Sequence, residues 1–310
     1  MSRHTKPESE RYKGASKWIQ YILFRAFFSV LQRIPVRFAY RIGRGIGWIF
    51  WKTMRERRAV VKHNLTVVND WNKNQQLDQL KGAIYDQVKE VFQRSGASLF
   101  SGFAFTKMTV KQMQGCVNIE GLDLLKSVLA ENKGAIILLA HMGPWEALTQ
   151  LPGLGKLQGI DAPFGVMYRP LNNHYLEQWY RGAREGKGTH LFSRRDGFHK
   201  PVDFLRSGGM LGILADQKMR QGVTVSYFGR DVSTNPVPGL FHKRSGAPII
   251  GLALTTVGNA QWEIKICPVD LPSDSSAADR ATLAIACNEG LERIVSESVL
   301  DGFWFHNRFR

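Results

Sequence analysis

Short apolar runs alternate with amphipathic segments through most of the chain after residue 110. The apolar runs predict strands at 117–119, 135–140, 164–168, 210–214, 248–254 and 262–267. The segments between them predict helices at 122–131, 145–151, 173–185, 201–205 and 238–244, with a last helix from about 276 to 295. Strands separated by helices indicate an α/β fold, with a mainly parallel central sheet flanked by helices.

The amino-terminal segment combines a broad apolar face with a narrow polar one. On a helical wheel of residues 17–35, Arg25, Ser29, Gln32 and Arg33 fall within one arc, and most other positions are large and apolar. This pattern is typical of a helix that lies in or dips through a membrane interface. The stretch is shorter than the ~20 apolar residues of a free-standing span, and Arg25 interrupts it. A core helix docked on the rest of the protein is the alternative interpretation.

Three regions follow from these patterns. Residues 1–14 predict a disordered polar tail, and residues 15–60 predict membrane-associated basic amphipathic helices with an N-terminal membrane-associated helix first. In the second region, aromatic residues at 48–51 precede a cluster of arginines at 55–58, a combination found at membrane interfaces. Residues 61–310 form the predicted α/β domain, which starts with a helical pattern over 76–101.

The charge distribution supports a surface-binding amino terminus. The net charge is +16, and residues 1–68, with 15 basic and 3 acidic residues, account for +12 of it. Nucleic acid and anionic membranes both attract such a segment, and its large apolar content favours the membrane. The 44% hydrophobic and 22% charged composition excludes general disorder. Three widely spaced cysteines exclude a disulfide scaffold and a CxxC zinc module.

The candidate chemistry lies where the apolar strand at 135–140 ends. His141 follows the strand directly, and a turn through Gly143 and Pro144 leads to a helical segment carrying Glu146. Ligands of open α/β sheets bind at the carboxyl ends of strands. A Glu146 carboxylate that contacts the imidazole would fix its tautomer, so that His141 could act as a general base on a substrate hydroxyl. A structural histidine without catalytic function is the alternative.

Several sequence blocks together resemble the bacterial lipid A late acyltransferases, a group within the lysophospholipid acyltransferase superfamily. The segment from His141 to Glu146 is similar to the H-x4-D/E motif of that superfamily. Further similar blocks begin at Val166 (VMYRPLNN), Gly212 (GILADQ) and Tyr227 (YFGRDVST), and the chain ends in a W-x-H-x-R-F pattern. The resemblance extends over essentially the whole chain. Pro144 replaces a common Asn and Tyr227 a common Phe, which leaves the acceptor and the acyl chain length open.

The resemblance implies roles for particular residues. His141 would be the general base and Glu146 its orienting carboxylate, while Arg169 would hold an acceptor phosphate or the developing oxyanion. The other implied substrate-binding residues are Asp216, Gln217, Arg220 and Arg230. A surface salt bridge is the alternative for Arg169, a turn cap for Asp216, and a solvated position for Arg220 and Arg230. Because the histidines lack metal-ligand spacing, no metal site is predicted, and no cofactor is implied.

These observations predict a membrane-associated O-acyltransferase on the cytoplasmic side of a bacterial inner membrane. It would transfer a fatty acyl chain from an acyl-carrier-protein thioester to a hydroxyl of a lipid A precursor, and nucleic acid is not an expected partner. One alternative is an acyl-CoA-dependent acyltransferase that acts on a glycerolipid or another glycolipid. The other is a non-enzymatic basic protein that binds anionic lipid or nucleic acid.

Overall fold

A seven-stranded sheet forms the centre of the computed structural model, which describes residues 12–193 and 197–309. In spatial order its strands are β1 (Val117–Glu120), β9 (Gln261–Pro268), β8 (Ile249–Gly258), β2 (Ala135–Leu139), β5 (Met210–Leu214), β3 (Phe164–Tyr168) and β4 (Thr189–Ser193). All neighbours are parallel except β8 and β9, which form an antiparallel pair. The predicted α/β architecture with a mostly parallel sheet is therefore confirmed.

Strand β2 lies inside the sheet, between β8 and β5, and all five of its residues are buried. A continuous apolar sequence is what a strand covered on both faces requires. Strand β4 was not predicted, because Thr189–Ser193 mixes polar and apolar residues at the sheet edge. A separate antiparallel hairpin of β6 (Val223–Tyr227) and β7 (Arg230–Thr234) was also missed.

Helices cover both faces of the sheet, and two clusters of buried apolar side chains lie between the layers. The helices are α1 (Ala15–Leu31), α2 (Val36–Thr53), α3 (Arg55–Asn74), α4 (Ile84–Phe105), α5 (Val110–Gln114), α6 (Leu122–Ala130), α7 (Leu151–Leu157), α8 (His174–Glu185), α9 (His199–Arg206), α10 (Val237–Ser245) and α11 (Arg280–Ser296). Helix α3 crosses the boundary predicted between residues 60 and 61, and its Val61 and Leu65 belong to one of the clusters.

Helices α2 and α4 approach each other closely at three glycines. A Cβ atom on Gly43 would lie 2.4 Å from the Gly96 carbonyl oxygen, and one on Gly47 would lie 2.2 Å from the Phe92 carbonyl oxygen. Glycines four residues apart on one helix face thus allow the backbones to touch. The glycine cluster at 43–47 therefore serves helix packing.

Helix α1 contacts the rest of the protein along one face. The Phe28 ring meets those of Phe103 in α4 and Trp179 in α8, at centroid distances of 4.8 and 4.7 Å. The opposite face exposes Trp18, Ile19, Ile22, Leu23, Phe27 and Val30. Within the described ranges, no helix is long and apolar enough to cross a membrane. Of the tail predicted at 1–14, residues 1–11 lie outside the described residues, and the Tyr12 carbonyl accepts a hydrogen bond from the His174 amide.

Candidate active site

The register between β2 and β5 brings a histidine and an aspartate together at the carboxyl edge of the sheet. Leu139 pairs with Leu214, so that His141 and Asp216 each stand two residues beyond matched positions on adjacent parallel strands. Nδ1 of His141 lies 2.7 Å from Oδ1 of Asp216. The side chains are 20% and 13% exposed, so the pair is largely shielded while the imidazole keeps an open edge.

The loop that carries His141 is fixed by its backbone. Gly143 has a φ of +53°, and a Cβ there would lie 2.4 Å from the Leu254 carbonyl oxygen, so only glycine fits. The Gly143 amide donates to the Asp301 carbonyl at 3.2 Å, and the Phe303 amide donates to the His141 carbonyl at 2.8 Å. The carboxy-terminal segment therefore helps to hold the histidine in place.

Burial and charge act in opposite directions on the His141 imidazole. Burial lowers its pKa, whereas the charge of Asp216, the hydrogen bond to Asp216 and the charge of Glu146 raise it, and the net result is a pKa above its ordinary value. For Asp216, burial raises the pKa, but the charge of His141 and the hydrogen bond from it dominate and lower the pKa. An ionised Asp216 thus accepts from Nδ1 and leaves Nε2 as the ring nitrogen that can take a proton.

The structure corrects the expected partner of His141. Glu146 lies in a 3₁₀ helix (Trp145–Gln150), and its carboxylate oxygens accept from Nη2 of Arg184 at 3.0 and 2.8 Å. Within the described structure, no hydrogen bond joins Glu146 to His141. Arg184, on α8, also contacts the hydroxyl of Tyr180, and this cluster holds the Glu146 carboxylate. Glu146 remains near enough for its charge to raise the pKa of His141.

The remaining predicted site residues are distributed unevenly. Gln217 lines a cavity beside the His141–Asp216 pair. Arg169 is exposed directly after β3, at the same sheet edge as His141. Arg220 and Arg230 are also exposed, in the β5–β6 loop and at the start of β7. No side-chain hydrogen bond or ion pair links these three arginines to any residue in the described ranges, and none of the three lines the cavity beside His141.

Several residues of the site had no assigned role from sequence. Arg184 and Tyr180 belong to an ordinary amphipathic helix, and nothing in that pattern marks them. Arg308 lies in the carboxy-terminal block noted above, and its guanidinium stands over the Tyr227 ring at 4.8 Å. Both residues line the cavity beside His141, which has a volume of about 20 Å³. The carboxy-terminal W-x-H-x-R-F pattern could have drawn attention to Arg308. The pattern does not indicate that Arg308 lies beside Tyr227 and His141.

The described residues offer His141 no nucleophile of the protein's own. None of their serine or cysteine side chains hydrogen-bonds to the imidazole. The three cysteines are buried, and burial raises the pKa of Cys116 to about 11 and that of Cys287 to about 12, so these thiols stay protonated at neutral pH. A base supported by a carboxylate, at the open edge of a parallel sheet, suits proton abstraction from a bound hydroxyl. The fold and site thus define an α/β protein with a histidine–aspartate pair at the carboxyl edge of its parallel strands.

Comparison with known proteins extends this description. The chain matches the bacterial lipid A biosynthesis acyltransferase family over residues 5–310, and it belongs to that family. It is 21% identical to the lipid A biosynthesis palmitoleoyltransferase of Escherichia coli (strain K12) over 272 residues, which cover 87% of this chain and 84% of that protein. It is 20% identical to the lipid A biosynthesis lauroyltransferase of the same strain over 299 residues, covering 94% and 92% of the two chains.

A third relative is named for a different acceptor. The phosphatidylinositol mannoside acyltransferase of Mycobacterium tuberculosis (strain ATCC 25618 / H37Rv) is 26% identical over 172 residues, or 54% of this chain and 52% of that protein. The family assignment makes this chain an O-acyltransferase. The interpretation as a non-enzymatic basic protein is thereby set aside.

Proposed function

We propose that this protein transfers a fatty acyl chain from an acyl-carrier-protein thioester to a hydroxyl of a lipid A precursor. The observation that carries the proposal is the His141–Asp216 pair at the sheet edge of a chain from this acyltransferase family. Two of the relatives are named for acyl transfer in lipid A biosynthesis and align with most of this chain, which supports the acceptor class.

In the proposed reaction, Nε2 of His141 removes the proton from the acceptor hydroxyl as its oxygen attacks the thioester carbonyl. The new C–O bond forms the ester, the C–S bond breaks, and the proton passes from His141 to the departing thiolate. Asp216 holds the imidazole and stabilises its protonated form. Because the described residues provide no thiol or serine nucleophile beside His141, transfer is direct and no acyl-enzyme forms.

Cations near the sheet edge suit the charge of the acceptor. Arg169 is exposed directly after β3 and is not paired with any carboxylate in the described ranges, so we assign it to a phosphate of the acceptor. In this proposal Glu146 does not contact His141. Its charge raises the pKa of the imidazole, and its carboxylate forms an ion pair with Arg184. The acidic carrier protein would approach the basic surface of the chain.

The donor and acceptor can be tested together with purified protein in detergent. We expect a lipid A precursor incubated with acyl-carrier-protein thioesters of several chain lengths to gain one ester-linked acyl chain, detected by mass spectrometry. The same acyl chains on coenzyme A are the matched comparison and should react more slowly. Transfer only from coenzyme A, or an acyl-enzyme trapped with donor alone, would contradict the proposal.

The similarity to the mannoside acyltransferase favours one alternative acceptor. That relative covers only about half of either chain, so it supports the shared chemistry more than a shared substrate. A phosphatidylinositol mannoside offered in competition with the lipid A precursor separates the two acceptors. Faster acylation of the mannoside would favour the alternative.

We further propose that α1 and α2 bind the protein to the surface of the bacterial inner membrane, on the cytoplasmic side. Exposed large side chains form what we call the amino-terminal apolar surface: Trp18, Ile19, Ile22, Leu23, Phe27, Val30, Phe38, Ile42, Trp48, Ile49, Phe50 and Met54. Exposed arginines on α2 and in the link before it, Arg33, Arg37 and Arg41, would meet anionic lipid headgroups. Apolar exposure on this scale marks an interaction site, and interfacial binding needs no spanning helix.

The amino-terminal apolar surface makes a direct prediction. Replacing both Leu23 (66% exposed) and Phe27 (51% exposed) with Asp should reduce binding to anionic lipid vesicles by about tenfold or more. The variant loses two apolar side chains that would enter the membrane, and it gains two negative charges that the anionic lipids repel. Sedimentation with vesicles measures the effect.

The matched control for this pair is Val257→Asp. Val257 is 60% exposed and lies in β8, away from α1 and α2 in the chain. We expect this variant to bind vesicles like the unmodified protein. Equal losses in the control and the double variant would show that the apolar surface is not the contact.

A further inference from the structure

The carboxy-terminal arginine Arg308 is buried beside the catalytic pair without a direct counter-ion. The residue is only 3% exposed, and no carboxylate in the described ranges lies within 4 Å of its guanidinium. Nη1 donates to the Ser233 carbonyl at 2.9 Å, and Nη2 donates to the Thr234 hydroxyl at 3.1 Å. Nε is buried and has no hydrogen-bond partner. A buried charge is costly to maintain, so its position calls for an explanation beyond these neutral contacts.

The cavity beside His141 connects this arginine to the catalytic pair. Arg308, His141 and Asp216 all line it, together with Tyr227 and His306. Its volume of about 20 Å³ is room for a water molecule and too small for an acyl chain or a phosphorylated sugar. Arg308 therefore lies where its charge can act on its neighbours in the protein.

Charge interactions point in the same direction. Burial lowers the pKa of Arg308, while Tyr227 and the Asp216 carboxylate act to raise it. Burial also keeps the Tyr227 hydroxyl protonated, because it raises the pKa of that group well above the ordinary value. Asp216 is thus the carboxylate in the cavity whose charge Arg308 can balance.

We infer that Arg308 is a positioning residue, whose fixed positive charge keeps Asp216 ionised and limits the proton affinity of His141. The inference rests on the proposed role of His141 as the general base. A positive charge near the pair favours the carboxylate and disfavours the imidazolium. Loss of that charge would therefore raise the pKa of His141, so that more of the base would be protonated at neutral pH.

Other ionisable groups also surround the pair, and the test must separate them from Arg308. They are Glu146 with Arg184 and Tyr180 from the 3₁₀ helix and α8, Tyr227 from β6, Glu292 from α11, Lys218 from the β5–β6 loop, and His306 from the carboxy-terminal segment. None of these is altered in the Arg308 variants below, so their charges stay constant across the comparison.

The experiment compares three substitutions at one position. Arg308→Gln and Arg308→Met remove the charge, and the apolar methionine also avoids burying an unpaired polar group. Arg308→Lys keeps the charge but loses the forked contacts with Ser233 and Thr234. We expect the acid limb of the kcat/KM–pH profile to move to higher pH by about 0.5 to 1 unit in both neutral variants. The lysine variant should stay within about 0.2 unit of the unmodified protein.

Two further measurements distinguish this role from a structural one. Arg293→Gln removes a charge that is paired with Asp270 on the surface, and it should leave the acid limb unchanged. A ¹³C-histidine NMR titration, with the His141 signal assigned through His141→Gln, reports the imidazole pKa without relying on activity. A neutral variant that folds and shows neither the kinetic nor the NMR shift overturns the inference.

The outcomes also separate this inference from the proposed function. If His141→Ala retains acyl transfer, the proposed role of His141 as the general base fails, yet the NMR titration still measures the effect of Arg308 on the ring. If His141→Ala is inactive and the Arg308 variants titrate normally, only the inference fails. In an Asp216→Asn background, Arg308→Gln should still raise the pKa of His141, because the repulsion between the guanidinium and the imidazolium does not pass through Asp216. A shift that disappears in that background would contradict a direct action of the Arg308 charge on the imidazole.

Discussion

Replacing His141 with Ala should reduce acyl transfer by at least ~10²-fold, because the acceptor hydroxyl then loses its general base. The effect should appear in kcat, since proton removal occurs during the chemical step. The rate of ester formation from the acyl-carrier-protein thioester, measured by mass spectrometry, tests this expectation.

The control for His141→Ala is its melting temperature, which shows whether the site stays folded. The His141 carbonyl accepts from Phe303 and would do so in the alanine variant as well, so we expect the melting temperature to change little. His141→Gln is a second variant that keeps polar volume at the site without a titratable ring. A folded alanine variant with near-normal turnover would exclude His141 as the base.

Replacing Asp216 with Asn should have the second-largest effect, and it should exceed that of Glu146→Gln. Asparagine retains the shape of the side chain but supplies no charge and can favour the wrong tautomer, so we expect kcat to fall by about 10²-fold or more. Because the Asp216 charge raises the pKa of His141, its removal should also move the acid limb of the kcat/KM–pH profile to lower pH. This direction is opposite to that expected for the neutral Arg308 variants.

The matched carboxylate variant is Glu146→Gln. Glu146 influences His141 only through its charge, as the smallest of the named contributions to the imidazole pKa, while its hydrogen bonds go to Arg184. We therefore expect a smaller fall in kcat and a smaller shift of the acid limb, also to lower pH. A larger loss in Glu146→Gln than in Asp216→Asn would restore Glu146 as the orienting partner.

Much of the sheet could be predicted because strands that are buried on both faces consist of continuous apolar residues. The apolar run at 135–140 predicted β2, and it forms a fully buried strand between two parallel neighbours. Strand β4 did not follow from the sequence, since an edge strand needs no such run and Thr189–Ser193 mixes polar and apolar residues. The β6–β7 hairpin was missed as well, although the alternation of apolar and polar residues in Val223–Tyr227 is itself a signal of a strand with one buried face.

In the amino-terminal helices too, the sequence predicted the helix, whereas packing decided which of its residues are exposed. The arc of polar residues in α1 correctly indicated an amphipathic helix, and Phe28 and Leu31 supply its buried contacts. Which apolar residues remain exposed depended on the positions of α4 and α8, because both contact α1 only after folding.

By itself, the sequence determined the class of fold, the family and the position of His141 at the end of a buried strand. These follow from local composition and from blocks of neighbouring residues. Only the tertiary structure decided which carboxylate meets the imidazole. Glu146 is five residues from His141 but is held by Arg184, whereas Asp216 is 75 residues away and arrives through the register of two adjacent strands. Strand order and register depend on how the whole chain packs, so a spacing motif cannot encode them.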